Sequence, residues 1–176
     1  FLNSRDRMIS GGVVMLDLEF KHNDADDSHD KVLTLHDCIV ENVSYTDGVL
    51  RFFLPEGLWI APTHRDNDLG KVVKTDSAVV DFRIANIDDI VVRVFTQTHF
   101  TRRTKVEIWE MRDLMDSINR GKCTIEFIYQ YRTHFEQMWQ CAIHSRKKLY
   151  YRECQLHLPD TEAVFRWNEL CPDHEW

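Results

Sequence analysis

The sequence predicts an α+β domain. Eight or nine mostly antiparallel strands form a strongly curved sheet, a half-barrel or two packed sheets, and a helix over about 108–120 covers an open face or end. Three observations carry this expectation. A self-contained hairpin is written into residues 39–54, period-two alternation returns in most later segments, and one stretch switches to a clear helical period. With 176 residues, 43% of them hydrophobic, the chain is long enough to bury one core, removing roughly 70% of its unfolded surface from water. Residues 13–176 read as a single domain and 1–12 as a tag or disordered N-terminus.

In chain order, residues 13–20 end in alternation and read as a strand with Leu16, Leu18 and Phe20 on one face. Residues 21–30 hold four aspartates and two histidines with no apolar side chain larger than Ala25, which predicts a solvated loop. The hairpin follows. Asp47-Gly48 suits a two-residue type I′ turn because both central positions need positive φ. Thr46 then pairs with Val49, Tyr45 with Leu50 and Val43 with Phe52, so Ile39, Val43, Tyr45, Leu50, Phe52 and Leu54 share one apolar face. After a short rung at 58–60, residues 62–75 read as a second exposed loop.

Residues 77–85 alternate with Ala78, Val80, Phe82 and Ile84 inward, and 90–97 supply the return strand. A further strand at 100–108 turns Phe100, Thr104, Val106 and Ile108 in and leaves Thr101, Arg103, Lys105 and Glu107 out. Ile108, Met111, Leu114, Met115 and Ile118 then fall at helical spacing, with Gly121 placed to end that helix in a left-handed conformation. Period two resumes at Cys123, Ile125, Phe127, Tyr129 and Tyr131. If Tyr131 opposes Phe135, Phe127 faces Trp139 and Ile125 faces Cys141; Tyr150, Cys154, Leu156 and Leu158 mark the next strand. Asp160-Thr161-Glu162 resembles a helix start, giving a C-terminal helix over about 161–170 with Val164, Trp167 and Leu170 buried, although 163–168 also passes as a strand. The tail at 171–176 reads as irregular.

A net charge of −7 and a pI near 5.7 argue against a nucleic-acid binder, whose affinity rests on basic side chains neutralising phosphates, and favour basic partners. No run approaches the length of a membrane span, and 1–9 lack the apolar region of a signal peptide, which predicts a cytoplasmic protein. Cys38, Cys123, Cys141, Cys154 and Cys171 are odd in number and contain no C-x-x-C pair, so they read as reduced, mostly buried thiols.

No nucleophile elbow, dinucleotide fingerprint, phosphate loop or zinc-binding helix occurs, so no catalytic, cofactor or metal residue is assigned. His22, Asp24, Asp26, Asp27, His29 and Asp30 are the densest potential metal ligands but lack the calcium-loop frame, and read as a solvated acidic loop. His36 followed by Asp37 could hold a general base and its neighbour; an Asx-type turn at Asp37 with His36 packed by its edge is the plainer reading. The basic clusters at 102–105 and 146–148 fit an edge strand and a hairpin tip.

Leu35-His36-Asp37-Cys38, then a strand, Asp47-Gly48 and a second strand rich in Phe and Leu, resembles the start of several small bacterial β-rich families. Some of these look like immunity proteins encoded beside polymorphic or contact-dependent toxins. The likeness covers residues 35–60, with the Cys154-Gln155-Leu156 strand as an extension. It implies a cytoplasmic binding protein and offers no catalytic residues. The resulting expectation is a non-catalytic protein-binding module, most specifically an immunity protein neutralising a basic toxin domain, and no nucleic acid or membrane as partner. Its acidic surface would comprise Asp24, Asp26, Asp27, Asp30, Asp66 and Asp68. The alternatives are a small enzyme or ligand-binding domain with a cavity near His36 and Asp37 lined by Trp59, Tyr129 or Trp139, and a structural or self-associating module.

Overall fold

A computed structural model of the chain describes residues 19–25, 32–97, 103–145 and 151–175. The described residues form β1 (His22–Ala25), β2 (Leu33–Thr34), β3 (Cys38–Val40), β4 (Asn42–Thr46), β5 (Val49–Leu54), β6 (Trp59–Ile60), β7 (Val73–Thr75) and β8 (Ala78–Arg83). A 3-10 turn (Ile87–Asp89) leads to β9 (Val91–Gln97), β10 (Thr104–Trp109), α1 (Met111–Asn119), β11 (Cys123–Arg132), β12 (Glu136–Ser145), β13 (Tyr151–Pro159), β14 (Ala163–Trp167) and β15 (Leu170–Glu175). They make three antiparallel sheets, in the orders β1-β14-β8-β5-β4, β10-β9-β13-β12-β11-β3 and β15-β7-β6-β2. The expected mostly antiparallel architecture with one α-helix is present among these residues. A single curved half-barrel of eight or nine strands is not, because the chain changes sheet repeatedly and no sheet curls closed.

The hairpin register is the one the turn dictates. Asp47 and Gly48 have φ of 52° and 74°, and Thr46, Tyr45 and Val43 oppose Val49, Leu50 and Phe52. Val43, Leu50, Phe52 and Leu54 are buried. Ile39 departs from the expectation: β3 leaves the hairpin's sheet to pair with β11, which buries Cys38 and Val40 and leaves Ile39 half-buried. The backbone of Val43 points away from β5, and the side chain of Asn119 at the end of α1 satisfies it. Asn119 Oδ1 accepts from Val43 N at 2.9 Å while its Nδ2 donates to Val43 O at 2.7 Å, so one amide imitates a neighbouring strand.

The core lies between the five- and six-stranded sheets. Phe52 and Phe82 from one meet Phe127 and Trp139 from the other, with ring centroids 5.0–6.2 Å apart in edge-to-face contact. Met111, Leu114 and Ile118 bury the apolar stripe of α1, and Gly121 ends it at φ 63°, as the spacing predicts. Ile108 belongs to β10 instead, because α1 starts only at Met111.

Other corrections share a physical cause, which is pairing between distant segments. The strand expected over 13–20 lies largely outside the described residues, and Glu19 and Phe20 carry no strand. Within the expected loop at 21–30, His22–Ala25 pair with Trp167–Val164. The expected loop at 62–75 holds buried His64 and Asn67 and ends in β7. Asn67 Nδ2 lies 2.9–3.1 Å from the carbonyls of Ile60, Ala61 and Lys71, which replaces secondary structure as the organiser of this segment. Residues 90–97 do not return along β8. The 3-10 turn, N-capped by the Asn86 side chain, carries the chain across to the other sheet, where β9 pairs with β10 and β13.

The β11–β12 register differs by two residues from the expected one. Ile125 faces Ile143 and Phe127 faces Cys141; an irregularity between Phe127 and Tyr129 then puts Tyr129 against Gln140 and Tyr131 against Met138. The C-terminal helix expected at 161–170 is absent. Ala163, Phe165 and Trp167 are buried in alternation, and β14 is held on both sides by β1 and β8, so period two overrides the helical spacing of Val164, Trp167 and Leu170. The tail, expected to be irregular, forms β15 against β7.

Candidate functional site

Two of the expected acidic residues are engaged within the fold. Asp24 on β1 and Asp66 in the segment after β6 converge on His64, whose side chain is 2% exposed. His64 Nδ1 accepts from Asp66 N at 3.1 Å, so the ring proton sits on Nε2, which donates to Asp24 Oδ2 at 2.9 Å. Arg65 Nη2 reaches the same Asp24 oxygen at 3.2 Å. His22 stacks on Trp167 at 5.3 Å and places Nδ1 3.4 Å from Asp66 Oδ2. This cluster ties β1, β14 and the 62–75 segment together. Asp68 is exposed. Asp26, Asp27 and Asp30 lie outside the described residues, as do Arg102 and the cluster at 146–148. No group of three or more His, Cys, Asp or Glu suited to a metal occurs among the described residues, and no helix among them is long and apolar enough to cross a membrane.

His36, without Asp37, lines a cavity of about 190 Å³ together with Ile128, Tyr129, Trp139 and Phe165 among others. Asp37 adopts φ 56° in the turn into β3, with its carboxylate 3.0 Å from His36 Nδ1. The His36 ring meets Tyr129 edge-on at 5.4 Å. Trp59 is elsewhere. It lines a different cleft of about 570 Å³, where the Lys74 ammonium lies 5.1 Å from the Trp59 ring and 3.6 Å from Glu56 Oε2.

All five cysteines are unpaired, and four are buried. Burial pushes the Cys38 thiol up to about 12, against a smaller opposing influence from Lys74. Burial likewise raises Cys123, Cys171 and, most strongly in the contact with Cys154, Cys141. Thiols held protonated are poor nucleophiles.

The outer face of the six-stranded sheet presents exposed side chains. Cross-strand partners share a face, so the register can be read as rows. One row runs Tyr131, Met138, His157, Val91; the next runs Tyr129, Gln140, Gln155, Arg93, Ile108; a third runs Glu126, Ala142, Glu153, Phe95, Val106. Tyr129, Tyr131 and Ile108 are 55%, 56% and 66% exposed, and Phe135 at the β11–β12 tip is 88% exposed. The middle row carries Arg93 between Gln155 and Ile108, and Gln155 Nε2 donates to Gln140 Oε1 at 3.3 Å. The third row carries Glu126 and Glu153, and Glu126 Oε2 pairs with His144 Nε2 at 2.6 Å. The face thus mixes tyrosine, methionine and aliphatic groups with Arg93, Glu126 and Glu153.

The sequence reading did not reach this face, because it turned Val106 and Ile108 inward. The alternation on β10 is present, but its apolar side points to solvent. Neither the irregularity after Phe127, which brings Tyr129 and Tyr131 to the outer face, nor the Asp24–His64 contact across 40 positions leaves a local signal. No family model, curated protein or solved structure matches the chain.

Proposed function

We propose that this chain is a non-catalytic protein-binding module that engages its partner through the outer face of the six-stranded sheet. The observation that carries the reading is the three-row arrangement, in which Tyr129, Tyr131, Val91, Val106 and Ile108 lie open on one sheet face beside Arg93 and Glu153. Tyrosines supply large contact area at low entropic cost, and aliphatic neighbours exclude water around them. An immunity protein neutralising a basic toxin domain in the cytoplasm is the narrower form of the proposal. Its support is the net charge of −7 and the likeness of residues 35–60 to such families. In that form exposed Asp68, with the remaining acidic loop positions, steers encounter while the sheet face supplies the contact.

The test is affinity capture from native cytoplasm with the wild type, a Tyr129→Ala/Tyr131→Ala variant and an Asp68→Lys variant. A partner held by the wild type, lost by the tyrosine variant and retained at reduced rate by Asp68→Lys supports the module and its interface. Partners indifferent to the tyrosines remove the sheet-face reading. Ligand binding at the 190 Å³ cavity is the second reading, favoured by His36 in its lining, whose Nδ1 lies 3.0 Å from the Asp37 carboxylate. Quenching of Trp139 fluorescence by a small molecule, abolished in His36→Ala, would support it.

A further inference from the structure

We propose that a second copy of this chain pairs antiparallel with the β10 edge, joining two six-stranded sheets into one continuous sheet about a two-fold axis through Val106. β10 is an outer strand of its sheet, so one side of its backbone has no strand neighbour among the described residues. Its two faces differ. Val106 and Ile108 are 51% and 66% exposed on the outer face, while Lys105 and Glu107 lie on the other, with Lys105 Nζ 2.7 Å from Glu107 Oε1.

Self-pairing is isologous, so each residue meets one fixed by a constant sum of positions. Centring on Val106 places Lys105 opposite Glu107 of the second copy and Glu107 opposite its Lys105. The two intrachain ion pairs become a square of alternating charge. On the outer face Val106 meets Val106, and Ile108 meets Thr104. Moving the axis by one residue sets Lys105 against Lys105 or Glu107 against Glu107, and like charges directly opposite repel. Placing the axis between residues sets an apolar side chain against a charged one. Only the Val106-centred register is complementary on both faces, and that complementarity identifies the occupant as a second copy of this strand. The Lys105–Glu107 spacing therefore fixes register, whereas a lysine alone on an edge strand would protect against such pairing.

The axis stands perpendicular to the sheet, so both outer faces lie on one side and their rows run on across the junction. This goes beyond the proposed partner binding and needs no partner to test. The experiment is sedimentation equilibrium of the purified chain over a rising concentration series. The expected result is a concentration-dependent doubling of the 21.0 kDa mass. Lys105→Glu should weaken dimerisation at least about tenfold by setting Glu against Glu. The exchanged variant Lys105→Glu/Glu107→Lys restores the alternation and should restore the dimer. Val106→Lys should abolish it. These side chains are exposed or lie at a strand edge, and an unchanged thermal midpoint verifies folding. If a variant does unfold, amide exchange of wild-type β10 provides the second measure, with protection rising with concentration. A monomer at millimolar concentration, a dimer indifferent to Lys105→Glu, or failure of the charge exchange to rescue would each overturn the proposal.

Discussion

Asp81 shows how a single carboxylate can organise a sheet face. It sits on β8, is 5% exposed, and accepts from Arg51 Nε at 2.7 Å and Arg51 Nη2 at 2.8 Å, with Arg166 Nη1 on its second oxygen. Bidentate geometry and two cations balance the desolvation of one anion, and the Arg51 guanidinium is held above its usual range by the same contact. Replacing Asp81 with alanine leaves two arginines facing each other across a carboxylate-free gap. The expected loss is roughly 3 kcal/mol in urea unfolding. Cys38 gives the opposite kind of prediction, since its value lies in staying neutral. Its folded pKa of about 12 stands above the ordinary 9.0, so its contribution is complete below pH 9.0 and is lost as pH rises toward 12. Between those limits the unfolded chain releases a proton that the folded one keeps, and stability falls by about 1.4 kcal/mol per pH unit from this group. Cys38→Ala should flatten that part of the alkaline unfolding profile; an identical slope in wild type and variant would show that Cys38 is not its source.

At the scale of elements, what the sequence reveals depends on how far apart the determining residues stand. The β4–β5 hairpin was legible because its turn residues and alternating strands occupy a dozen consecutive positions, and α1 because its stripe and closing glycine are contiguous. The pairing of β1 with β14 joins residues more than 130 positions apart, and nothing local in His22–Ala25 distinguishes that strand from a polar loop. The same holds for the candidate interface: Tyr129 and Tyr131 show as a period-two pair in sequence, but their exposure depends on the irregularity between Phe127 and Tyr129 and on the lack of a covering layer among the described residues. Asn119 presents the clearest element-scale test. Its two hydrogen bonds to Val43 link α1 to the edge of β4, and alanine there orphans a strand N–H and C=O at once. Asn119→Ala should cost about 1–3 kcal/mol, more than the loss of one exposed hydrogen bond. Amide exchange should locate the change at Val43, with β8 unaffected.

For the whole molecule, the two large sheets are joined through the aromatic contact of Phe52 and Phe127, 5.5 Å apart and edge-to-face. Each is fully buried, so Phe52→Ala or Phe127→Ala should cost about 3–5 kcal/mol. The double variant should cost less than the sum by about 0.5–1.5 kcal/mol, because the first substitution already removes the shared contact. Strict additivity would mean that the sheets are coupled elsewhere. The surface divides in a comparable way between long-range and contact terms. Net charge acts over roughly a Debye length of 8 Å at physiological salt, so it governs how fast a basic partner arrives. On the proposed interface, neutral side chains such as Tyr129, Gln140 and Met138 would act only on contact and so govern how long it stays. Asp68 is the acidic position best suited to the first role, since Asp24 and Asp66 are engaged with His64 and reversing either would unsettle the fold. With a basic partner in hand, Asp68→Lys should slow association and flatten its dependence on salt while leaving dissociation unchanged. Tyr129→Ala should do the reverse, speeding dissociation at least about tenfold with little effect on the association rate. Stopped-flow mixing in a rising salt series separates the two. Slower association in Tyr129→Ala with unchanged dissociation would place the contact away from the sheet face and return the interface to the acidic segments.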